Sequence, residues 1–223
     1  RASNTTTAAL SSGAQQPEQA RSELEKATEY WGKEYQKSPN ALKPALAYAK
    51  NLKAMGQKEM ALAVLQQAST MHANDRELAS EYGRLALEAE QIALANKLLA
   101  IADDPLKPDW RVISARGTAL AKLGKYGEAV PMFERARALE PNNASVLNNL
   151  AMALAANGQP DKAEELLRQA LAQRGDDAKI KQNLAIVLGL QGRHDDAQQI
   201  GTQVAAMTGD EESVRANADV MRR

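Results

Sequence analysis

The run WRVISARGTALAKLGKYGEAVPMFERARALEP, Trp110 to Pro141, decides the fold. Small residues, Gly117 and Ala129, alternate with the larger Leu120 and Phe133, and Gly124 divides the stretch into two helical halves. Moving along the chain by one constant step finds the same pattern again: Ala61, Ala95, Ala129, Ala163 and Ala197 form one series. Ala49, Gly83, Gly117, Ala151 and Ala185 form a second, and Ala68, Ala102, Ala136, Ala170 and Val204 a third. Larger side chains keep step in Val64, Leu98, Met132, Leu166, Ile200 and in Leu52, Ala86, Leu120, Leu154, Leu188. Concordant registers at one period define an internal repeat.

Each unit reads as helix, turn, helix. Gly56, Gly124, Gly158 and Gly192 stand at the turn, where glycine ends a helix in the left-handed conformation; the second unit has Glu90 there instead. Pro39, Pro108 and Pro141 fall near unit ends, where helices must stop. Five units are expected, at 42–75, 76–109, 110–143, 144–177 and 178–211. Antiparallel helices approach closely only with small residues at their crossing, the role assigned to the Ala and Gly registers. The larger Leu, Met and Phe133 fill the layer between units. No unit buries its apolar face alone, so the expected architecture is an all-α solenoid stabilised by nearest-neighbour stacking. Residues 17–41 read as a capping helix from a degenerate leading unit, with Trp31 and Tyr35 covering the first repeat, and 212–223 as a C-terminal capping helix. Residues 1–16, rich in Ser, Thr, Ala and Asn, have no apolar periodicity and read as a flexible leader, either a frayed end or a tether.

Composition narrows the function. Lys+Arg and Asp+Glu number 28 each in 223 residues, a balance that argues against nucleic acid as a partner. Hydrophobic residues make up 44% but aromatics only 4%, which favours helix over sheet. The absence of cysteine excludes disulfides, zinc ribbons and thiol chemistry. No apolar run reaches bilayer-spanning length. Arg1 rather than Met opens the chain, which leaves room upstream for a signal peptide or lipid anchor.

A helix-turn-helix unit of about 34 residues, with these registers, resembles the tetratricopeptide repeat, whose pattern runs from an early Trp through Gly, Leu, Ala and Phe to Pro. The third unit resembles it most, in Trp110, Gly117, Leu120, Ala129, Phe133, Ala136 and Pro141. The likeness covers about 42–211 and implies a right-handed solenoid that binds protein or peptide segments. More narrowly, YWGKEYQKSPN (30–40), ALAYAKNLKAMGQKEMALAVLQQA (45–68) and IKQNLAIVLGLQGR (180–193) resemble the repeat protein of tight-adherence (Tad/Flp) pilus systems. That likeness implies an exported lipoprotein acting in pilus or secretion assembly on the periplasmic side of the outer membrane. The lipid-bearing cysteine of such proteins is missing here. A cytoplasmic adaptor or regulator using the same groove is the alternative.

No catalytic constellation is found, so the chain is expected not to be an enzyme and to need no cofactor or metal. The two histidines, His72 and His194, lie in different units. Asp195 and Asp196 follow His194, but Asp161 takes the place of Asp195 one unit earlier, so these acids read as helix N-caps. Asp103 and Asp104, ahead of Pro105, take a similar structural role.

In tetratricopeptide-repeat proteins the first helices line a concave face. The inward positions transferred to this chain are Lys43, Leu46, Lys50 and Lys53, then Glu77, Glu81 and Arg84, then Arg111 and Thr118. Asn148, Asn149, Met152, Gln182, Asn183 and Ile186 complete them. Asn149 and Asn183 share a register, as a short ladder bonding the backbone of an extended peptide or as ordinary surface amides. The lysines of the first unit suit either acidic tails or solvent. They differ from a chaperone-binding carboxylate clamp, having Leu46 for its Lys and Lys50 for its Asn.

Overall fold

The computed structural model describes residues 15–209, with side chains from residue 22 onward. The expected C-terminal cap and nearly all of the expected leader lie outside that range. Among the described residues the chain is entirely helical. A long helix, α1 (Gln15–Lys37), is followed by five pairs: α2 (Leu42–Ala54) with α3 (Lys58–Ser69), α4 (Arg76–Glu88) with α5 (Ile92–Ala102), α6 (Trp110–Lys122) with α7 (Tyr126–Leu139), α8 (Ala144–Ala156) with α9 (Pro160–Arg174), and α10 (Ala178–Leu190) with α11 (His194–Thr208). α1 already includes Gln15 and Gln16 of the expected leader, and Pro17 falls in its first turn, where a missing N–H costs no helical bond.

Within each pair the link is a backbone device. Gln57 N–H reaches back to Leu52 O at 2.9 Å, and Gln91, Lys125, Gln159 and Arg193 make the equivalent 2.9 Å bond. This closure requires a left-handed residue just before it. Gly56, Gly124, Gly158 and Gly192 supply it at φ 74 to 82°, and Glu90 adopts the same conformation at φ 59°. Salt-bridging to Lys122 Nζ at 2.9 and 3.1 Å anchors the Glu90 side chain in that turn.

The tight turn overturns the expected caps. Asp161 and Asp195 lie inside the first turns of α9 and α11, whose preceding residues, Gln159 and Arg193, make no side-chain cap bond. The backbone closure holds those residues near ψ 60°, short of the extended conformation a capping side chain needs. Side-chain caps occur instead at the entrances of the first helices. Asp75, Asp109, Asn143 and Asp177 are extended and accept bonds from the N–H groups of Leu78, Arg111, Val146 and Ile180, at 2.8 to 3.2 Å. They too recur at the repeat period.

Packing follows the small-residue registers. Ala61, Ala95, Ala129 and Ala163 have no exposed surface, and Phe133, Leu65, Leu99 and Leu167 are buried beside them. At this crossing two pairs approach so closely that only glycine fits, Gly83 against Leu99 and Gly117 against Phe133. Where the second helix carries Phe133 the facing residue is Gly117, while Ala49 and Ala151 stand at the same register in pairs whose second helix carries Leu65 and Leu167. The first repeat is covered by Tyr35, whose ring lies 5.7 Å from that of Tyr48, and by Gly32, which sits buried under Tyr48. Trp31 does not share that role: it packs edge-on against Tyr30 at 5.1 Å. It occupies the register of Leu65, which in the first unit is turned toward that unit's own first helix.

Candidate functional site

Each first helix touches the next, α2 to α4, α4 to α6, α6 to α8 and α8 to α10, whereas the second helices are splayed apart. The first helices therefore form the inner layer of a curved array. The surface they share is the candidate binding groove.

Its N-terminal part is charged but internally matched. Lys50 Nζ lies 2.8 Å from Glu77, and Lys53 Nζ 3.1 Å from Glu88, which also receives Lys58 at 2.8 Å. Lys58, then Lys53, hold the Glu88 carboxyl below its usual range against the opposing effect of burial. Arg84 pairs with Glu81 at 2.8 Å, and the Arg111 guanidinium lies 4.9 Å over the Trp110 ring. Lys43 stays exposed. Leu46, expected in the groove, is instead buried in the core, where it packs with Ala45 and Ala49.

The C-terminal part is built of amides. Asn148 is buried, with 5% of its surface exposed, and accepts a 2.8 Å bond from Asn183 Nδ2 across the junction of α8 and α10. The Asn148 Nδ2 group faces Asn149 Oδ1 at 3.5 Å. The amides thus run diagonally from Asn183 to Asn148 to Asn149, rather than straight along the shared register of Asn149 and Asn183. The relay leaves the Asn149 Nδ2 donor and the Asn183 Oδ1 acceptor turned to other uses. A peptide group can meet one donor and one acceptor of this kind. Gln182 and Ile186 are exposed, and Met152 is half-buried beside the relay.

Sequence reasoning missed a second network, at the junction of the second and third units. The Asp103 carboxylate accepts a forked bond from Arg135 at 2.7 and 3.0 Å and lies 3.5 Å from Arg116. Arg135, opposed by burial, holds the Asp103 carboxyl below its usual range. Asp104 binds Arg76 at 2.8 Å. Arg116 stands where the other units have Tyr48, Tyr82, Leu150 and Leu184, so one charge at that register is the signal that was available. Among the described residues no three His, Cys, Asp or Glu side chains are grouped to hold a metal, and no helix is long and apolar enough to cross a membrane.

Residues 120–185 and 154–218 match the model of the tetratricopeptide repeat. No curated protein matches the sequence. Among solved structures, PilW, described as a widely conserved type IV pilus biogenesis factor, superposes with a TM-score of 0.73 at 18% identity, over 89% of this chain and 92% of that one. PilF of Pseudomonas aeruginosa gives 0.70 at 19%, over 88% and 90%. YrrB, described as a TPR protein with an unusual peptide-binding site, also gives 0.70 at 19%, over 86% and 99%. At such identities these likenesses speak to the fold. The chain is a solenoid of the tetratricopeptide-repeat type, with the repeats themselves matched across residues 120–218.

Proposed function

We propose that this protein is a non-enzymatic scaffold that holds a peptide or protein segment in its concave groove, and that it serves assembly of a tight-adherence pilus or related secretion machinery. The observation that carries the groove assignment is the amide relay. Its buried member, Asn148, holds Asn183 by a 2.8 Å bond and lies 3.5 Å from Asn149, so part of the ordering is already done when a backbone docks. Support for the pilus context comes from the sequence likeness at 30–40, 45–68 and 180–193 and from the fold shared with PilW and PilF. The same sequence likeness argues for an address at the periplasmic face of the outer membrane.

The test is genetic. In a piliated strain lacking the protein, wild-type protein should restore surface pili, counted by electron microscopy, and Asn149→Ala should restore markedly fewer at equal abundance. Full piliation with Asn149→Ala would remove the groove from the reading, and recovery of the protein in the cytosolic fraction would remove the address. Asn183→Ala is a poorer probe, because it strands the buried Asn148 carbonyl and should lower stability by about 1–3 kcal/mol.

A further inference from the structure

The groove changes character along its length. Over the first two units most of its charges are matched to one another, in Lys50 with Glu77, Lys53 with Glu88, and Arg84 with Glu81, and Lys43 alone of the inward cations stays outside these pairs. On α8 and α10 no such pairs occupy the inward face. Asn148, Asn149 and Asn183 lie there, and beside them Ile186 and Leu190 stand one turn apart on α10, 41% and 61% exposed. The only charged side chain at an inward position on these two helices is Lys179, at the entrance of α10.

Resting on the reading of the groove as the binding site, we propose that its C-terminal half takes an uncharged, extended segment. The backbone of the segment meets Asn149 and Asn183, and one of its apolar side chains lies against Ile186 and Leu190. Two physical terms point that way. Residues four apart on a helix share a face, so Ile186 and Leu190 offer one continuous apolar surface whose burial is favourable. Lys179, one turn before Asn183, is the one charge beside the relay, so a segment carrying several charges would lose more solvation there than a single exposed cation returns. Farther along the groove Lys50, Lys53 and Arg84 are already paired, which leaves Lys43 and Arg111 as scattered single cations. The exposed apolar pair beside the amides, with only isolated cations around it, therefore favours a neutral partner over an acidic tail.

A random-peptide phage library selected on the whole chain, followed by calorimetry with the synthetic consensus peptide, tests this. The expected consensus carries no net charge and at least one Leu, Ile, Met or Phe. Its affinity should change less than about twofold between about 50 and about 500 mM salt. Ile186→Glu and Leu190→Glu should each weaken it by about tenfold or more, with melting temperature unchanged. An acidic consensus whose affinity falls steeply with salt and ignores Ile186→Glu would overturn the proposal. If that peptide still lost affinity in Asn149→Ala, the groove reading would survive. Peptides bound equally by the wild type, Asn149→Ala and Ile186→Glu, or recovery of no peptide at all, would sink the groove reading and the proposal together.

Discussion

Gly117 faces Phe133 so closely that alanine cannot replace it without displacing the ring. A methyl carbon on Gly117 would lie 2.8 Å from Phe133 Cε1 and 3.0 Å from both Cδ1 and Cζ. Carbon atoms rest best at about 3.5–4.0 Å, so the overlap is about 0.5–1 Å against three ring atoms. Phe133 is 2% exposed and has nowhere to retreat. Alanine in a helix interior is favoured over glycine by about 1 kcal/mol, while overpacking costs about 1–3 kcal/mol, so Gly117→Ala should be destabilising by up to about 2 kcal/mol. Phe133→Leu alone leaves a void and should cost roughly 1–2 kcal/mol, less than truncation to Ala. Together the two changes recreate the Ala and Leu combination of Ala49 with Leu65 and of Ala151 with Leu167. The double variant should therefore be more stable than the sum predicts, by about 1–2 kcal/mol. Urea denaturation of the four proteins measures the coupling. Additivity within about 0.5 kcal/mol would refute the idea that Gly117 and Phe133 compete for one volume at this crossing.

Two further outcomes follow from the turn and from the half-buried ion network around Asp103. Glu90 holds a left-handed backbone that glycine adopts without strain, and its exposed bond to Lys122 offsets only part of that. Glu90→Gly should raise the urea midpoint by up to about 1 kcal/mol of stability and Glu90→Ala should lower it; a loss in both would mean that the ion pair outweighs the strain. Asp103 titrates below its ordinary value of 3.8 in the folded chain, so its contribution is complete above 3.8 and is lost as pH falls through the depressed value. Wild type should lose stability below that pH more steeply than Asp103→Asn, and parallel acid-denaturation curves would assign the network no role.

What the sequence disclosed, and what it hid, divides along physical lines. Backbone packing repeats once per unit, because each unit must present the same small residues at the same crossing; the buried Ala61, Ala95, Ala129 and Ala163 were legible for that reason. Glu90 was legible in its place but not in its geometry, since the left-handed backbone follows from the Gln91 N–H to Ala86 O closure of its own turn and not from the residue type. Trp31 misled because register alone predicts an orientation but not the presence of a neighbour to receive it. The capping series at Asp75, Asp109, Asn143 and Asp177 was written in the sequence and could have been found by asking which polar residue precedes each first helix.

The binding surface was less legible because side chains that cross between units do not keep the period. Neighbouring helices are offset along their axes, so a long side chain meets its partner a few residues to either side of the register. Lys50 reaches Glu77 across 27 positions, Arg135 reaches Asp103 across 32, and Asn183 reaches Asn148 across 35. A reading at the strict period therefore pairs Asn149 with Asn183 and leaves the lysines looking available. The offset converts the first into a diagonal relay anchored in the core and neutralises much of the second. In the first three units the contacts between neighbours use much of the charge, in Lys50 with Glu77, Lys53 with Glu88 and Arg135 with Asp103. The inner face of the last two is held by buried apolar side chains and one amide bond, and there the surface remains open to a ligand.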